Sequence, residues 1–205
     1  MICGKSANMF IIVGVRIMSR KLYIADTHFG HGNVIRMDER PFKSLDEMHE
    51  VMIKKWNAEV NNDDHVYILG DMCFKAKDEY LDLVKNLNGN KHLILGNHDR
   101  ISNARYKKQF VEITNYKKLT DRLNNKEVPI VLFHYYIPFY DTHYRNGILL
   151  HGHSHMTGES DVEREITNLM KDKGFPCQIY NIGCMYPYID YAPRTLQYIV
   201  ENYKE

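Results

Sequence analysis

The chain has almost no excess of charge of either sign. Lys and Arg number 27 against 26 Asp and Glu, a formal net charge of +1. Without a basic surface, polymeric nucleic acid is a disfavoured partner. Cysteine is sparse, and Cys3, Cys73, Cys177 and Cys184 form no C-x-x-C pair. That argues against a zinc knuckle or a disulfide framework and makes a reduced, cytoplasmic protein the expectation. Long apolar runs are also missing. The longest near the amino end, Met9 to Met18, is interrupted by Arg16 and lacks a clean cleavage site after it, so no membrane partner is expected. No Pro/Gly/Ser linker, repeat or low-complexity tract divides the chain. One domain is expected over 18–205, with residues 1–17 an amino-terminal extension or loose tail. At 205 residues and 44% hydrophobic composition the chain has room for one sizeable core.

What is present is a series of short aliphatic and β-branched runs: Lys21–Ala25, His65–Leu69, His92–Leu95, Ile130–Phe133, Ile148–Leu150, Gln178–Ile182 and Leu196–Val200. Continuous apolar runs of this length suit strands buried on both faces. Helical patterns separate them. Ser44 and Glu47 form an S-x-x-E capping box ahead of Leu45, Met48, Met52, Trp56 and Val60 at helical spacing. Asp78 to Leu87 and Asp161 to Lys173 also read as helices, the second stopped by Gly174. Strands alternating with helices predict an α/β fold, in which ligands gather beyond the carboxyl ends of strands.

Eleven histidines is a high number, and several fall where those runs end. The first strand runs into Asp26-Thr27-His28, the second into Gly70-Asp71, and the third into Gly96-Asn97-His98-Asp99. The fourth ends at His134, and the fifth at His151-Gly152-His153-Ser154-His155. In His-x-His, a period of two aims both rings to one side. Asp26, His28, Asp71, Asn97, His134, His153 and His155 make seven candidate ligands. If one carboxylate bridges, two metals receive four protein ligands each, which leaves positions for water and substrate. Mixed nitrogen and oxygen donors without thiolate suit Mn, Fe, Zn, Ni or Co.

These blocks, in this order, resemble the calcineurin-like metallophosphoesterase superfamily, whose pattern is D-x-H, G-D, G-N-H-[DE], H and G-H-x-H. The stretches Asp26 to Asn33, Arg40-Pro41-Phe42 and His134 to Phe139 resemble a compact bacterial and phage subgroup. The resemblance implies a four-layer α-β-β-α sandwich with two mixed sheets. It implies one divalent ion on Asp26, His28, Asp71 and His155, and a second on Asp71, Asn97, His134 and His153, with Asp71 bridging. Manganese is the expected metal. It further implies a hydrolase of phosphodiester or phosphomonoester bonds in a small molecule or nucleotide, acting through a metal-bridging hydroxide. His98 would donate the proton to the leaving group, with Asp99 fixing its ring. Two departures narrow the subgroup. Met72-Cys73-Phe74-Lys75 follows Gly70-Asp71 where the protein phosphatases carry a longer G-D-x-x-D-R-G block, and the appended segments of the large nucleases have no room here.

Among nearby residues, His31, Arg40 and Arg100 are candidate substrate contacts, with Arg36 a weaker one. His151 reads as structural, and Cys73 as a small buried filler or an oxidation-sensitive thiol. Tyrosines concentrated between Tyr135 and Tyr191 offer faces on which a base could stack. Asn181-Ile182-Gly183 resembles a family segment that closes the site. The alternatives are a non-catalytic scaffold of the same fold and a nuclease acting on DNA or RNA ends. The sequence does not fix the oligomeric state.

Overall fold

The apolar runs assemble into two mixed β-sheets. A computed structural model describes residues 19–74 and 80–203; the expectations for residues 1–17, and the first turn of the helix expected from Asp78, lie outside them. The first sheet contains β1 (Lys21–Ile24), β2 (His65–Leu69), β3 (Asn90–Ile94), β4 (Glu112–Thr114) and β9 (Arg194–Thr195), in the order β4-β3-β2-β1-β9. β1 to β4 are parallel, and β9 is antiparallel to β1. The second contains β5 (Tyr116–Leu123), β6 (Lys126–Phe133), β7 (Ile148–His151) and β8 (Gln178–Asn181) in sequence order. There β5 and β6 form an antiparallel pair and the rest is parallel.

The strands that read as uninterrupted apolar runs are the ones covered on both sides. β2 and β3 are buried from their second residue on, and β7 throughout, as parallel strands demand. Leu22 and Ile24 share one apolar cluster with Ile130, Leu132, Ile148 and Leu150, so side chains of both sheets meet in a common core. A smaller cluster of Val131, Tyr140, Leu149 and Ile179 lies on the other face of the second sheet.

The helices are α1 (Val34–Met37), α2 (Leu45–Glu59), α3 (Leu81–Lys85), α4 (Ala104–Lys107), α5 (Gly158–Asp172) and α6 (Leu196–Asn202). Ser44 caps α2 by accepting from the Glu47 N–H, and Glu47 reaches back to the Lys43 N–H, a variant of the expected reciprocal cap. Met48, Met52 and Trp56 then enter the common core. α5 starts three residues earlier than expected, because Thr157 is its cap.

The run Leu196–Val200 corrects the sequence reading: it is helix, not strand. Thr195 accepts from the Tyr198 N–H, and the buried pair Leu196 and Ile199 has i, i+3 spacing. β5 is a strand that the apolar pattern missed. Its inward positions alternate Lys117, Leu119, Asp121 and Leu123, and Asp121 is there to accept a hydrogen bond from the Tyr23 hydroxyl across the sheets.

Candidate metal centre

All seven candidate ligands lie just beyond the carboxyl ends of β1, β2, β3, β6 and β7. The two sheets are joined at that end. Ala25 and Gly183 form a parallel bridge, Ala25 N–H donates to Ile182 O at 3.0 Å, and Ile182 N–H donates to His151 O at 2.8 Å. The expected closing segment at Asn181–Gly183 is therefore a seam between the sheets. The Asn181 amide also donates to Ser154 Oγ at 2.8 Å.

The loop backbone is bent sharply to bring the ligands together. Asp26, His28, Asp71, His153 and His155 all have positive φ, between 50° and 74°. That region is unusual for residues with a side chain and costs about 1–3 kcal/mol each. Five of seven candidate ligands in this conformation mark a place where local strain is tolerated for the sake of geometry. The adjacent glycines make the approach possible. A Cβ on Gly70 (φ +86°) would fall 2.2 Å from His134 Nδ1, and one on Gly152 would fall 2.4 Å from Asp26 Oδ2.

Two donor groups form. In the first, His28 Nε2 and His155 Nε2 face each other at 3.2 Å, with Asp26 Oδ1 3.8 Å from the His155 nitrogen. In the second, Asn97 Oδ1 lies 3.1 Å from both His134 Nε2 and His153 Nδ1. Asp71 Oδ2 sits between the groups, 3.7 Å from His28 Nε2 and 3.7 Å from His134 Nε2. Its other oxygen, Oδ1, accepts from the His98 backbone N–H at 2.8 Å. Asp26 Oδ1 is also 3.9 Å from a His134 nitrogen. That nitrogen is Nδ1, which donates to Leu69 O at 2.8 Å and is not available as a ligand. Asp71 is thus the carboxylate with one oxygen 3.7 Å from an Nε2 of each group, while Asp26 belongs to both His/Asp clusters that could hold a metal ion.

The protonation pattern suits cations. The Leu69 carbonyl fixes the proton of His134 on Nδ1, and burial holds its ring below the ordinary histidine range. Its Nε2 lone pair is thus turned on the Asn97 and Asp71 oxygens with no proton between them. Burial pushes His28 well down, and its buried Nδ1 has no hydrogen-bond partner among the described residues. Burial pushes the Asp26 carboxyl up to about 7, so its ionised form needs positive charge nearby. Four nitrogens, three side-chain oxygens and no thiolate fit a pair of first-row divalent ions.

His98 is exposed beside this group, its ring centroid 5.7 Å from that of His28. His31 lies on the same side, stacked on Phe74 at 4.2 Å. Two expectations need correction. Asp99 does not touch the His98 ring: it is buried and accepts from the N–H groups of Asp71, Met72 and Gly96. Its task is to hold the loop that carries Asp71, and burial raises its carboxyl to about 6. Arg40 is not placed to grip a substrate. It is buried, and its donors go to Asp26 O, Thr27 O, Asp38 and the Met48 sulfur. Arg100 and Arg36 are exposed. His151 is buried on the far side of β7 against Tyr136, and burial lowers it to about 4. Cys73 is buried and its thiol pushed up by burial, which makes it unreactive. Tyr135 packs edge-on against His153, with centroids 4.6 Å apart.

Asp38 escaped the sequence reading. Its Oδ1 accepts from His155 Nδ1 at 2.7 Å, which leaves Nε2 free to ligate. It follows no strand and lies 117 positions from its partner, so no local pattern reveals it. Tyr186, whose hydroxyl donates to His155 O, and Glu163, which accepts from Ser154 Oγ at 2.6 Å, support the same loop and were missed because only the tertiary fold brings them to it.

The molecule is thus a mixed α/β protein with converging His, Asp and Asn side chains able to hold metal. No protein-family model matches the chain. Over 140 residues, 66% of this chain and 70% of the relative, it is 36% identical to the uncharacterized protein MJ1445 of Methanocaldococcus jannaschii. The chain belongs to the family of that archaeal protein. It is also 36% identical over 87 residues to the Gene 66 protein of Mycobacterium phage D29, and 33% identical over 85 residues to that of phage L5. Those matches span 42% and 41% of the phage proteins. The crystal structure of the protein of unknown function AQ665 from Aquifex aeolicus matches with a TM-score of 0.63 at 27% identity. It covers 89% of this chain and 98% of that one. Among the described residues, no helix is long and apolar enough to cross a membrane.

Proposed function

We propose that this protein is a cytoplasmic, dinuclear-metal phosphoesterase of the calcineurin-like class, acting on a phosphodiester or phosphomonoester of a small molecule or nucleotide. The observation that carries the reading is Asp71 Oδ2, equidistant at 3.7 Å from a histidine nitrogen of each donor group. A single carboxylate in that position can serve two cations. The two sheets sharing one core, with α2 packed into it, support the four-layer α-β-β-α arrangement.

Asp26, His28, His155 and Asp71 would hold one divalent ion, and Asp71, Asn97, His134 and His153 the other, with manganese the first candidate. Bound there, such ions supply Lewis acidity toward a phosphoryl group and acidify water near neutral pH. The protein supplies the rest. Leu69 O holds the His134 proton on Nδ1 and so keeps its Nε2 free, and Asp38 holds the Nδ1 proton of His155 and turns its Nε2 toward the donor group. Asp99 holds the Asp71 loop in register. His98, exposed at the rim, gives a proton to the departing oxygen; His31 stands beside it, ring centroids 6.5 Å apart, and Arg100 is an exposed residue two positions further along the chain.

The test is metal analysis of the purified protein together with a chromogenic phosphodiester assay, with and without added Mn²⁺. Two equivalents of metal per chain and hydrolysis lost to a chelator are expected. Full metal loading with no hydrolysis of mono-, di- or cyclic phosphates would favour the scaffold reading.

A further inference from the structure

α5 is poorly buried for a helix of 15 residues. Only Met170 is buried. The side it turns to the second sheet is largely polar: Glu163 binds Ser154 Oγ, and Thr167 shares a hydrogen bond with the Tyr136 hydroxyl. About a third of a turn away, Val162, Ile166 and Leu169 follow i, i+4, i+7 spacing. They are 53%, 37% and 56% exposed. Phe175, just past the helix, packs edge-on against Phe139, and both are exposed. Of the twelve large hydrophobic residues exposed in the described chain, eight lie between Tyr135 and Phe175. A helix of this length is marginal in water unless an apolar face is covered. Here the apolar flank is the one left open.

We propose that this flank is where two copies of the chain pair, α5 against α5 in antiparallel register about a two-fold axis at Ile166. The charge pattern selects a second copy as the occupant. Glu159 stands seven residues before Ile166 and Lys173 seven after it. Both are exposed at the edges of the apolar stripe. The two-fold axis sets Glu159 of one copy against Lys173 of the other, and symmetry makes the pair twice. The other charged residues of α5 lie off this seam, apart from Glu165, which stands one residue from the axis beside its own symmetry mate at the solvent-facing rim. A parallel arrangement would bring acidic ends together. The antiparallel one encloses Val162, Ile166 and Leu169 between complementary charges, and Phe139 and Phe175 extend the apolar patch.

The experiment is sedimentation of the full-length protein from about 1 to 100 μM, a range that brackets ordinary dimer affinities. The wild type is expected to be dimeric at the upper end. Ile166→Glu should be monomeric with an unchanged circular dichroism spectrum. Glu159→Lys should weaken the dimer roughly threefold to tenfold, as two partly exposed ion pairs would. The double exchange Glu159→Lys with Lys173→Glu should restore it, and these exposed sites keep the test valid if Ile166→Glu does not fold. A wild type still monomeric at the highest concentration overturns the proposal. That result is also expected if another segment of the chain, or a different protein, covers the flank. A dimer indifferent to both Ile166→Glu and Glu159→Lys overturns it equally.

Discussion

His155 Nδ1 donates to Asp38 Oδ1 at 2.7 Å, and the other oxygen of Asp38 accepts from Arg40 Nε and Nη2 at 3.0 and 2.8 Å. Burial works against a charge on the His155 ring, but the Asp38 hydrogen bond and the Asp26 charge outweigh it, and the ring ends above its ordinary value. The same hydrogen bond fixes the Nδ1 proton and aims Nε2 at the donor group. Asp38→Asn is expected to weaken metal binding about 10- to 100-fold. Competition with a chelator of known affinity measures this, and an unchanged affinity would make Asp38 a purely structural partner of Arg40.

A second expectation concerns the carboxylate between the donor groups. Asp71→Asn keeps the size of the side chain but removes its charge and one ligand oxygen. The purified variant should carry roughly half the wild-type metal content or less, because the cations lose their shared counter-charge. Full loading by elemental analysis would place the bridge elsewhere.

Under the proposed reading, substitution of His98 separates proton transfer from metal binding. Its ring stands clear of the donor groups, while its backbone N–H holds Asp71 Oδ1. Substitution by alanine keeps that N–H. His98→Ala should therefore lower turnover about 10²- to 10⁴-fold with metal content near normal. The loss should shrink for substrates with a good leaving group, which needs no proton. A variant as active as the wild type on a poor leaving group would exclude His98 as the donor.

The convergence of the five strand endings was legible because each candidate ligand follows its apolar run by one to a few residues, within the reach of a local pattern. The supporting residues were not. Asp38 reaches His155 from a segment with no strand before it and Tyr186 from 31 positions away, and the linear order Asn97-His98-Asp99 made Asp99 look like a partner of its neighbour. In the fold, Asp99 turns back onto the β2 loop because the N–H groups of Asp71 and Met72 need an acceptor there. Arg40 lies between Asp38 and the loop that carries Asp26, and only tertiary packing uses up its donors. β5 was hidden because Lys117 and Asp121 occupy inward positions. Leu196–Val200 was misread because a short apolar run suits a buried helix turn as well as a strand.

The glycine before His153 offers a steric test. A Cβ at Gly152 would lie 2.4 Å from Asp26 Oδ2 and 2.6 Å from Ala25 Cβ, so the loop or the carboxylate must move. Gly152→Ala should cost about 1–3 kcal/mol and lower metal affinity as well. Gly158 has nothing within 4 Å of its would-be Cβ. Gly158→Ala should leave the melting temperature unchanged or raise it by about 1–3 °C. Equal effects at the two positions would mean that the crowding at Gly152 is relieved without disturbing Asp26.

The last expectation concerns stability away from the candidate metal centre. His92 on β3 is buried between His65 Nδ1, 2.8 Å from its Nε2, and Glu112 Oε1, 2.7 Å from its Nδ1. Burial lowers its pKa below the ordinary 6.5, although the Glu112 hydrogen bond and charge oppose that. The unfolded chain therefore takes up this proton at a higher pH than the folded one. The resulting stability is present above about pH 6.5 and is lost as the pH falls from there toward the folded-state value. The slope cannot exceed about 1.4 kcal/mol per pH unit for one group. His92→Gln should be less stable than the wild type at pH 7.5, yet lose less on going to pH 5.5, as read from urea midpoints at each pH. Glu112 titrates below this window, its carboxyl held down by Lys117 and His92 against the pull of burial, so the difference in slope reports on His92 together with its partner His65. Parallel slopes in the two proteins would show that His92 takes up its proton equally well in the folded chain.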